Sequence, residues 1–326
     1  MKNVTLGGAR IPSLGLGFWQ IGGAAWGTKG EKALKAAIQV LEAAAEHGIQ
    51  LVDTAEVYGL GESERILGEA LKKVRGDFIV ASKVAGYRWR REDVLKAAER
   101  SRARIGRLDL VQHHWPPPVY ARICSVVRGL EDAVQKGIAG MYGLSNYPAR
   151  LLERVYECSH RIEPVSNQIQ YSLAFRQPEA LLIPFMARNN MTLIAWSPLA
   201  KGALAGATRP RSRAQKMDPV FMRAARDSRL QQALARVAGR HGTSKAVVAL
   251  AWIMAKGGVP IPGTRSGQRV REYAMALRLT LDEEDMRILD DASARYINQG
   301  DYRPLQKLRL LPGVLQDFFI RAFGGV

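Results

Sequence analysis

Apolar positions recur three and four residues apart in LKAAIQVLEAAAEHG, and short unbroken apolar runs such as FIVAS and LIAW lie between stretches of that kind. The first spacing is that of an amphipathic helix. The second is that of a strand covered on both faces, as in a parallel sheet. Read along the chain, the two patterns alternate. Helix Glu31 to His47 precedes strand Gln50 to Asp53, and helix Ser63 to Val74 precedes strand Phe78 to Lys83. Helix Arg91 to Ile105 leads to strand Leu108 to His114, and helix Tyr120 to Lys136 to strand Ala139 to Ser145. Helix Pro148 to Cys158 leads to strand Val165 to Gln170, and helix Pro178 to Asn189 to strand Thr192 to Ser197.

The last unit is longer. A Gly-, Pro- and Arg-containing loop follows Leu199, then helices Arg229 to His241 and Lys245 to Lys256, strand Val259 to Pro262, helix Gly267 to Leu277 and an acidic-capped helix Asp282 to Arg295. GLGFW near the N-terminus counts as the first of eight strands, and VTLGG-ARIP before it reads as a hairpin turning at Gly-Gly, able to plug one end of a barrel. Alternation of this kind predicts α/β architecture with right-handed crossovers, and eight units favour closure into a (β/α)8 barrel. No linker divides residues 1–326, which predicts a single barrel domain carrying a C-terminal helical tail.

In such a barrel the chemistry gathers at the C-terminal ends of the strands. Asp53 and Tyr58 in LVDTAEVYG, Lys83 in FIVASKV and His114 in LVQHHWPP all fall there. A phenol, an amine, a carboxylate and an imidazole on separate strand ends make a proton-donating site. Taken singly, each is as well explained by packing or solvation. An unperturbed tyrosine, pKa about 10, donates poorly near neutrality unless a cation stabilises its anion, which Lys83 could do while Asp53 holds it.

Composition narrows the class. Of 326 residues, 47% are hydrophobic and 24% charged, so a large core with a solvated surface is expected. Cys124 and Cys158 form no metal or disulfide pattern, and their scarcity suits a reducing cytoplasm. The segment MKNVTLGGARIP has no apolar leader run, and no stretch is apolar and long enough to span a membrane. The net charge of +18 invites a nucleic-acid reading, but the basic residues are dispersed, with YRWRR and RPRSRAQK the densest patches, and no nucleic-acid-binding module is visible. A basic solvated surface accounts for most of the charge, and it could attract an anionic dinucleotide.

With GLGFWQIGG, LVDTAEVYG, ASKV, LVQHHWP, GLSNY, NQIQYSL, LIAWSPLAKG and VPIPGTRS in this order, the chain resembles the aldo-keto reductase family from about Gly15 to about Leu289. The short loop after His114 and the AWSPL segment look more like its bacterial, archaeal and channel-β-subunit branches. The resemblance implies a barrel that binds NADPH without a Rossmann domain, in keeping with the lack of a G-x-G-x-x-G motif opening a βαβ unit. It also implies NADP-dependent, reversible reduction of aldehydes and ketones. Asp53, Tyr58, Lys83 and His114 match the family's catalytic tetrad. Ser145, Asn146 and Gln168 match residues that hold the nicotinamide carboxamide, and Trp196 the ring beneath it. Ser197, Leu199, Lys201 and Gly202 fall in the segment around the pyrophosphate. Arg265 and Arg269 lie where the 2′-phosphate is met, and Glu272 where adenine is met. Two positions depart from the pattern. Tyr273 stands where the family often has Asn, so adenine would stack on it or lose a hydrogen bond. Phe18 stands where Thr is common, giving a more apolar pocket mouth.

Trp19, Trp26, Trp89 and Trp115, with Tyr87 and Phe18, lie in or beside strand-end loops, so the substrate pocket is expected to be aromatic and to favour apolar carbonyl compounds over charged sugars. No metal is required. The tail Asn298 to Val326 is apolar and basic, interrupted by Pro312. Packing on the barrel is its plainest reading; folding over the pocket, contact with another subunit and a weak amphipathic membrane contact are the alternatives. The rival to an enzyme is a regulatory or interaction protein that keeps NADPH and turns over slowly. The expected partner is a small carbonyl substrate, with no nucleic acid and no stable membrane insertion; oligomeric state is left open.

Overall fold

The computed structural model describes residues 2–22, 30–297 and 306–322. Strands β1 (Asn3–Leu6) and β2 (Ala9–Pro12) form an antiparallel hairpin, pairing Leu6 with Ala9. Gly7 and Gly8 turn it with φ of 57° and 87°, the double left-handed turn that suits the twist of two-residue hairpins. Eight parallel strands follow: β3 (Gly15–Gly17), β4 (Leu51–Asp53), β5 (Ile79–Val84), β6 (Leu110–His113), β7 (Met141–Ser145), β8 (Ser166–Gln170), β9 (Thr192–Trp196) and β10 (Val259–Pro260). They pair in chain order from β3 to β10. A parallel bridge between Gly17 and Gly263, with Gly17 N–H donating to the Pro262 carbonyl at 3.2 Å, brings the two edges together and completes the barrel.

The helices α1 (Gly30–Glu46), α2 (Glu62–Leu71), α3 (Arg91–Ile105), α4 (Ile123–Gln135), α5 (Ala149–Cys158) and α6 (Leu182–Arg188) cross between strands on the outside. Their apolar faces and the outward residues of the strands form the main core, as with Val52, Val80, Val111, Leu144 and Ala195. Inward residues alternate with these, as the two-residue strand period requires. Leu51, Ala81, Leu110, Ile194 and Val259 make one inner layer, and Leu6 and Ile11 of the hairpin pack into it from below. The hairpin thus plugs the N-terminal end.

The segment read as a loop after Leu199 contains two further helices, α7 (Arg213–Lys216) and α8 (Pro219–Arg226). Their start signals are explicit. Ser212 and Gln215 make a reciprocal capping box, and Asp218 accepts from the N–H groups of Val220 and Phe221 with Pro219 in the first turn. Then come α9 (Ser228–Arg240), α10 (Lys245–Ala255), α11 (Gly267–Ala274) and α12 (Glu283–Ser293), and, in the tail, α13 (Gly313–Ala322).

The two cysteines are corrected by the fold. Cys124 of α4 and Cys158 at the end of α5 are joined by a disulfide, with Cα atoms 5.1 Å apart. They are 34 residues apart, about one β/α unit, so the repeat itself lays them on neighbouring helices. Pairing removes the inference from their scarcity to a reducing compartment. Among the described residues no helix is long and apolar enough to cross a membrane.

Candidate functional site

Two positions above the apolar inner layer, the same strands turn polar. Asp53 stands two after Leu51, Lys83 two after Ala81, Gln112 two after Leu110 and Trp196 two after Ile194. Period-two geometry therefore points all of them into the top of the barrel. Lys83 is 1% exposed and Asp53 2%. Lys83 Nζ donates to Asp53 Oδ1 at 2.5 Å, to the Thr54 carbonyl at 2.9 Å and to the Tyr58 hydroxyl at 3.4 Å. The other carboxylate oxygen, Oδ2, accepts from Gln168 Nε2 at 2.8 Å and Gln112 Nε2 at 3.2 Å. A charge pair removed from water needs such extra hydrogen bonds to be tolerated.

Burial raises the Tyr58 pKa above its usual value; Lys83 opposes this through its charge and hydrogen bond, and Asp53 adds to it. The lysine therefore limits this rise without bringing the pKa below that of an ordinary phenol. For Lys83 itself, burial alone would lower the pKa, but Asp53 and Tyr58 outweigh it and the ammonium is held charged. The chain carboxylate, ammonium, phenol is thus a protonated, buried donor set with its outermost hydroxyl only partly covered.

The two adjacent histidines divide their work. His113 faces outward from β6, fully buried. Its Nε2–H donates to the Arg88 carbonyl at 3.1 Å, which leaves Nδ1 to accept from the Tyr147 hydroxyl at 2.7 Å. Burial lowers its pKa to about 4. His114 falls on the inward parity, its ring edge-on to Tyr58 with centroids 5.7 Å apart. Burial, then the charges of Lys83 and His113, press its pKa well below the imidazole value, so it is neutral. Its Nδ1 is buried with no hydrogen-bond partner in the protein.

Beside this group, Ser145 Oγ donates to the Gln168 carbonyl at 2.9 Å. Asn146, at a left-handed φ of 63°, donates from Nδ2 to the His114 carbonyl at 2.9 Å and accepts from Trp196 Nε1 at 3.0 Å. After β9 the backbone is unusual: Ser197, Ala200, Lys201 and Gly202 all have positive φ, between 46° and 102°. Side chains other than glycine rarely adopt this conformation, and where they do it is commonly at a binding site. Leu199 is buried within the turn. Lys201 pairs with Asp218 at 2.7 Å and lies 5.3 Å over the Trp19 ring.

Arg265 lies exposed between β10 and α11, and Arg269 in α11 pairs with Glu272 at 3.3 Å. Glu272 also accepts from Ser244 Oγ at 2.6 Å. Tyr273 is buried in the main core, which removes the option of an aromatic face for adenine.

The aromatic residues are brought together only in part. Trp115 packs with Ala55, Val57 and Ala85 beside Tyr58 and Tyr87, and Trp89 stands edge-on to Tyr120 at 6.1 Å. Gly86 is required here, since a Cβ on it would lie 2.2 Å from the Trp115 ring. Phe18, expected at the mouth, is instead fully buried in the main core, because its parity after β3 turns it outward toward the helices. Trp26 lies outside the described residues. Gln112 was not singled out by the sequence reading. Its signal was the spacing itself, midway between inward Leu110 and inward His114. Among the described residues no group of three His, Cys, Asp or Glu side chains is placed to hold a metal.

A family model described as the aldo/keto reductase family matches residues 13–294. An uncharacterized oxidoreductase of Mycobacterium tuberculosis is 34% identical over 332 residues, covering 97% of this chain and 98% of the relative. The fold is also similar to that of the thermostable aldo-keto reductase Tm1743, solved in complex with the inhibitor epalrestat. The TM-score is 0.75 at 31% identity, covering 90% of this chain and 100% of that one. An aldo-keto reductase from Klebsiella pneumoniae, solved in complex with NADPH, has a TM-score of 0.76 at 26% identity, covering 92% and 96%. An eight-stranded barrel plugged by an N-terminal hairpin, with a match over most of the length, leaves one assignment: the chain belongs to the aldo/keto reductase family of oxidoreductases.

Proposed function

We propose that this chain, acting as one barrel domain, reduces aldehydes and ketones to alcohols with NADPH, in a reversible reaction. The observation that carries the reading is the buried relay Asp53–Lys83–Tyr58 beside a neutral His114. The residues fit a dinucleotide. Asn146 and Ser145 offer amide and hydroxyl groups near Trp196, and Gln168 offers an amide. The left-handed backbone of residues 197–202 can turn N–H groups toward a pyrophosphate. Arg265 and Arg269, at the start of α11, suit a 2′-phosphate, with Glu272 near an adenine. The Klebsiella relative's complex with NADPH supports the same cofactor here.

A bound NADPH supplies the hydride to the carbonyl carbon. As the carbonyl π bond breaks toward oxygen, Tyr58 donates its hydroxyl proton there as general acid. Lys83, held by Asp53, stabilises the tyrosinate that forms, and solvent returns the proton. His114, neutral and therefore able to donate from one ring nitrogen, orients the carbonyl oxygen, a form of electrostatic preorganisation. Trp115, tilted against the His114 ring with centroids 5.0 Å apart, offers an apolar wall that favours apolar or aromatic carbonyl compounds over charged sugars. Turnover of a panel of aromatic and aliphatic aldehydes and ketones, with NADPH and with NADH, tests the reading. Reduction of several aldehydes with NADPH is expected. No turnover of any reactive aldehyde, with NADPH demonstrably bound, would instead indicate a cofactor-holding interaction protein.

A further inference from the structure

The helix α13 packs on the barrel with the wrong face for a core helix. Its inner side carries Gly313, Gln316, Asp317 and Ile320, spaced three and four apart. Gln316 is buried. It accepts from Trp115 Nε1 at 2.9 Å and donates to the Leu308 and Leu311 carbonyls at 2.8 and 3.0 Å. The Gly313 N–H donates to the Tyr120 hydroxyl at 3.1 Å, and Ile320 and Leu308 pack against the small cluster of Ala55, Val57, Ala85 and Trp115 beside Tyr58, so the helix is fastened next to the site by one narrow face.

The outer side is apolar. Val314 is 81% exposed, Phe318 61%, and Leu315 and Phe319 are also exposed, with Leu310 at 72% just before the helix. Val119 and Tyr120 extend this surface, tied to the tail through the Val119 N–H to Arg309 carbonyl bond at 3.0 Å. A helix normally buries such residues, and a contiguous exposed apolar face marks an interaction surface.

The charge decides what covers it. The chain carries 48 Lys and Arg against 30 Asp and Glu, a net +18. Two copies would meet against that repulsion, whereas an anionic surface would be attracted. Just before the helix, Arg309 lies close enough to Arg150 and Arg154 to feel their positive charge, while within the helix Arg321 is paired with Asp317. A ten-residue helix with four outward apolar side chains is too small to anchor alone, so apolar insertion and basic charge must act together.

We propose that α13 is a peripheral docking element for an anionic phospholipid bilayer, with Val314, Leu315, Phe318 and Phe319 entering the headgroup region. Docking does not depend on the reaction proposed above, and its test uses neither cofactor nor substrate.

The full chain is co-sedimented with vesicles of phosphatidylcholine alone and of phosphatidylcholine with about three-tenths phosphatidylglycerol. Binding about tenfold or more stronger to the anionic vesicles is expected, weakening as salt is raised. The variant Phe318→Ser with Phe319→Ser should lower that binding about fivefold or more while the melting temperature stays unchanged, since both residues are exposed. Absence of wild-type binding overturns the proposal. So does equal binding by the variant, which would make the attraction one of charge alone. Sedimentation velocity without lipid supplies the remaining arm: a dimer that the variant abolishes would assign the face to a second copy and likewise overturn the proposal.

Discussion

Gln168 and Asp53 meet across the barrel, Nε2 donating to Oδ2 at 2.8 Å, although 115 residues separate them. With Gln112 on the same oxygen and Lys83 on the other, the carboxylate is fully engaged within a closed polar layer. Lys83 is thereby fixed in one place, with the Tyr58 hydroxyl as its outermost neighbour. The Tyr58 hydroxyl, the proposed proton donor, thus lies against a group that the barrel's inner register fixes.

That coupling has a measurable energy. Lys83→Met leaves Asp53 buried without its cation, and Asp53→Asn leaves the ammonium without its anion. Each should destabilise the fold by about 3–5 kcal/mol, the range for breaking a buried pair. The double variant should lose less than the sum of the two. Urea unfolding of all four proteins checks this, and strict additivity would mean that the pair is not coupled.

His113 predicts a pH dependence of stability. Its pKa is about 4 in the folded chain against 6.5 for the free imidazole, so between those values the unfolded chain binds a proton that the folded chain does not. Its contribution is therefore present above pH 6.5 and is lost as pH falls toward about 4. The full loss is about 3 kcal/mol. Urea midpoints across this window should fall less steeply for His113→Gln than for the wild type. Identical slopes would show that this imidazole is not the group responsible.

Cofactor choice should rest mainly on Arg265, with help from Arg269, which pairs with Glu272 at 3.3 Å. Arg265→Ala should weaken NADPH binding by about 1.5–3 kcal/mol, as for hydrogen bonds to charged groups. NADH binding should change little. Fluorescence titration with both cofactors decides it, and equal wild-type affinity for the two would make these arginines ordinary surface charges.

The barrel order was legible because each strand reports a local pattern, an apolar run with a polar residue at or just past its end, as at Asp53, Lys83 and His114; Tyr58 lies five residues beyond β4, in a turn of its own. Asp53 and Lys83 are inward by parity, and the structure joins them as their spacing implies. What was missed depends on relations across the chain or on weaker signals. Gln112 shares its parity with Leu110, yet an uncharged amide beside two histidines draws no attention. The Cys124–Cys158 bond follows from helix adjacency, which spacing motifs do not encode. The caps at Ser212 and Asp218 were present, but the helices they start are only four and eight residues long, too short for a periodic pattern. Tail residues such as Phe318 carry an apolar signal whose direction, outward, only the packing of Gln316 reveals.

The most direct test concerns Tyr58, whose hydroxyl ends the relay 3.4 Å from Lys83 Nζ. The measurement is single-turnover stopped flow, in which protein saturated with NADPH is mixed with a reactive aromatic aldehyde and the loss of reduced nicotinamide absorbance is followed. Removing a general acid typically costs about 10²–10⁴-fold, so Tyr58→Phe should slow the decay by that factor while its NADPH affinity stays within about twofold of the wild type. A Tyr58→Phe protein that binds NADPH normally and reduces the aldehyde at the wild-type rate would contradict the assignment of Tyr58 as the proton donor.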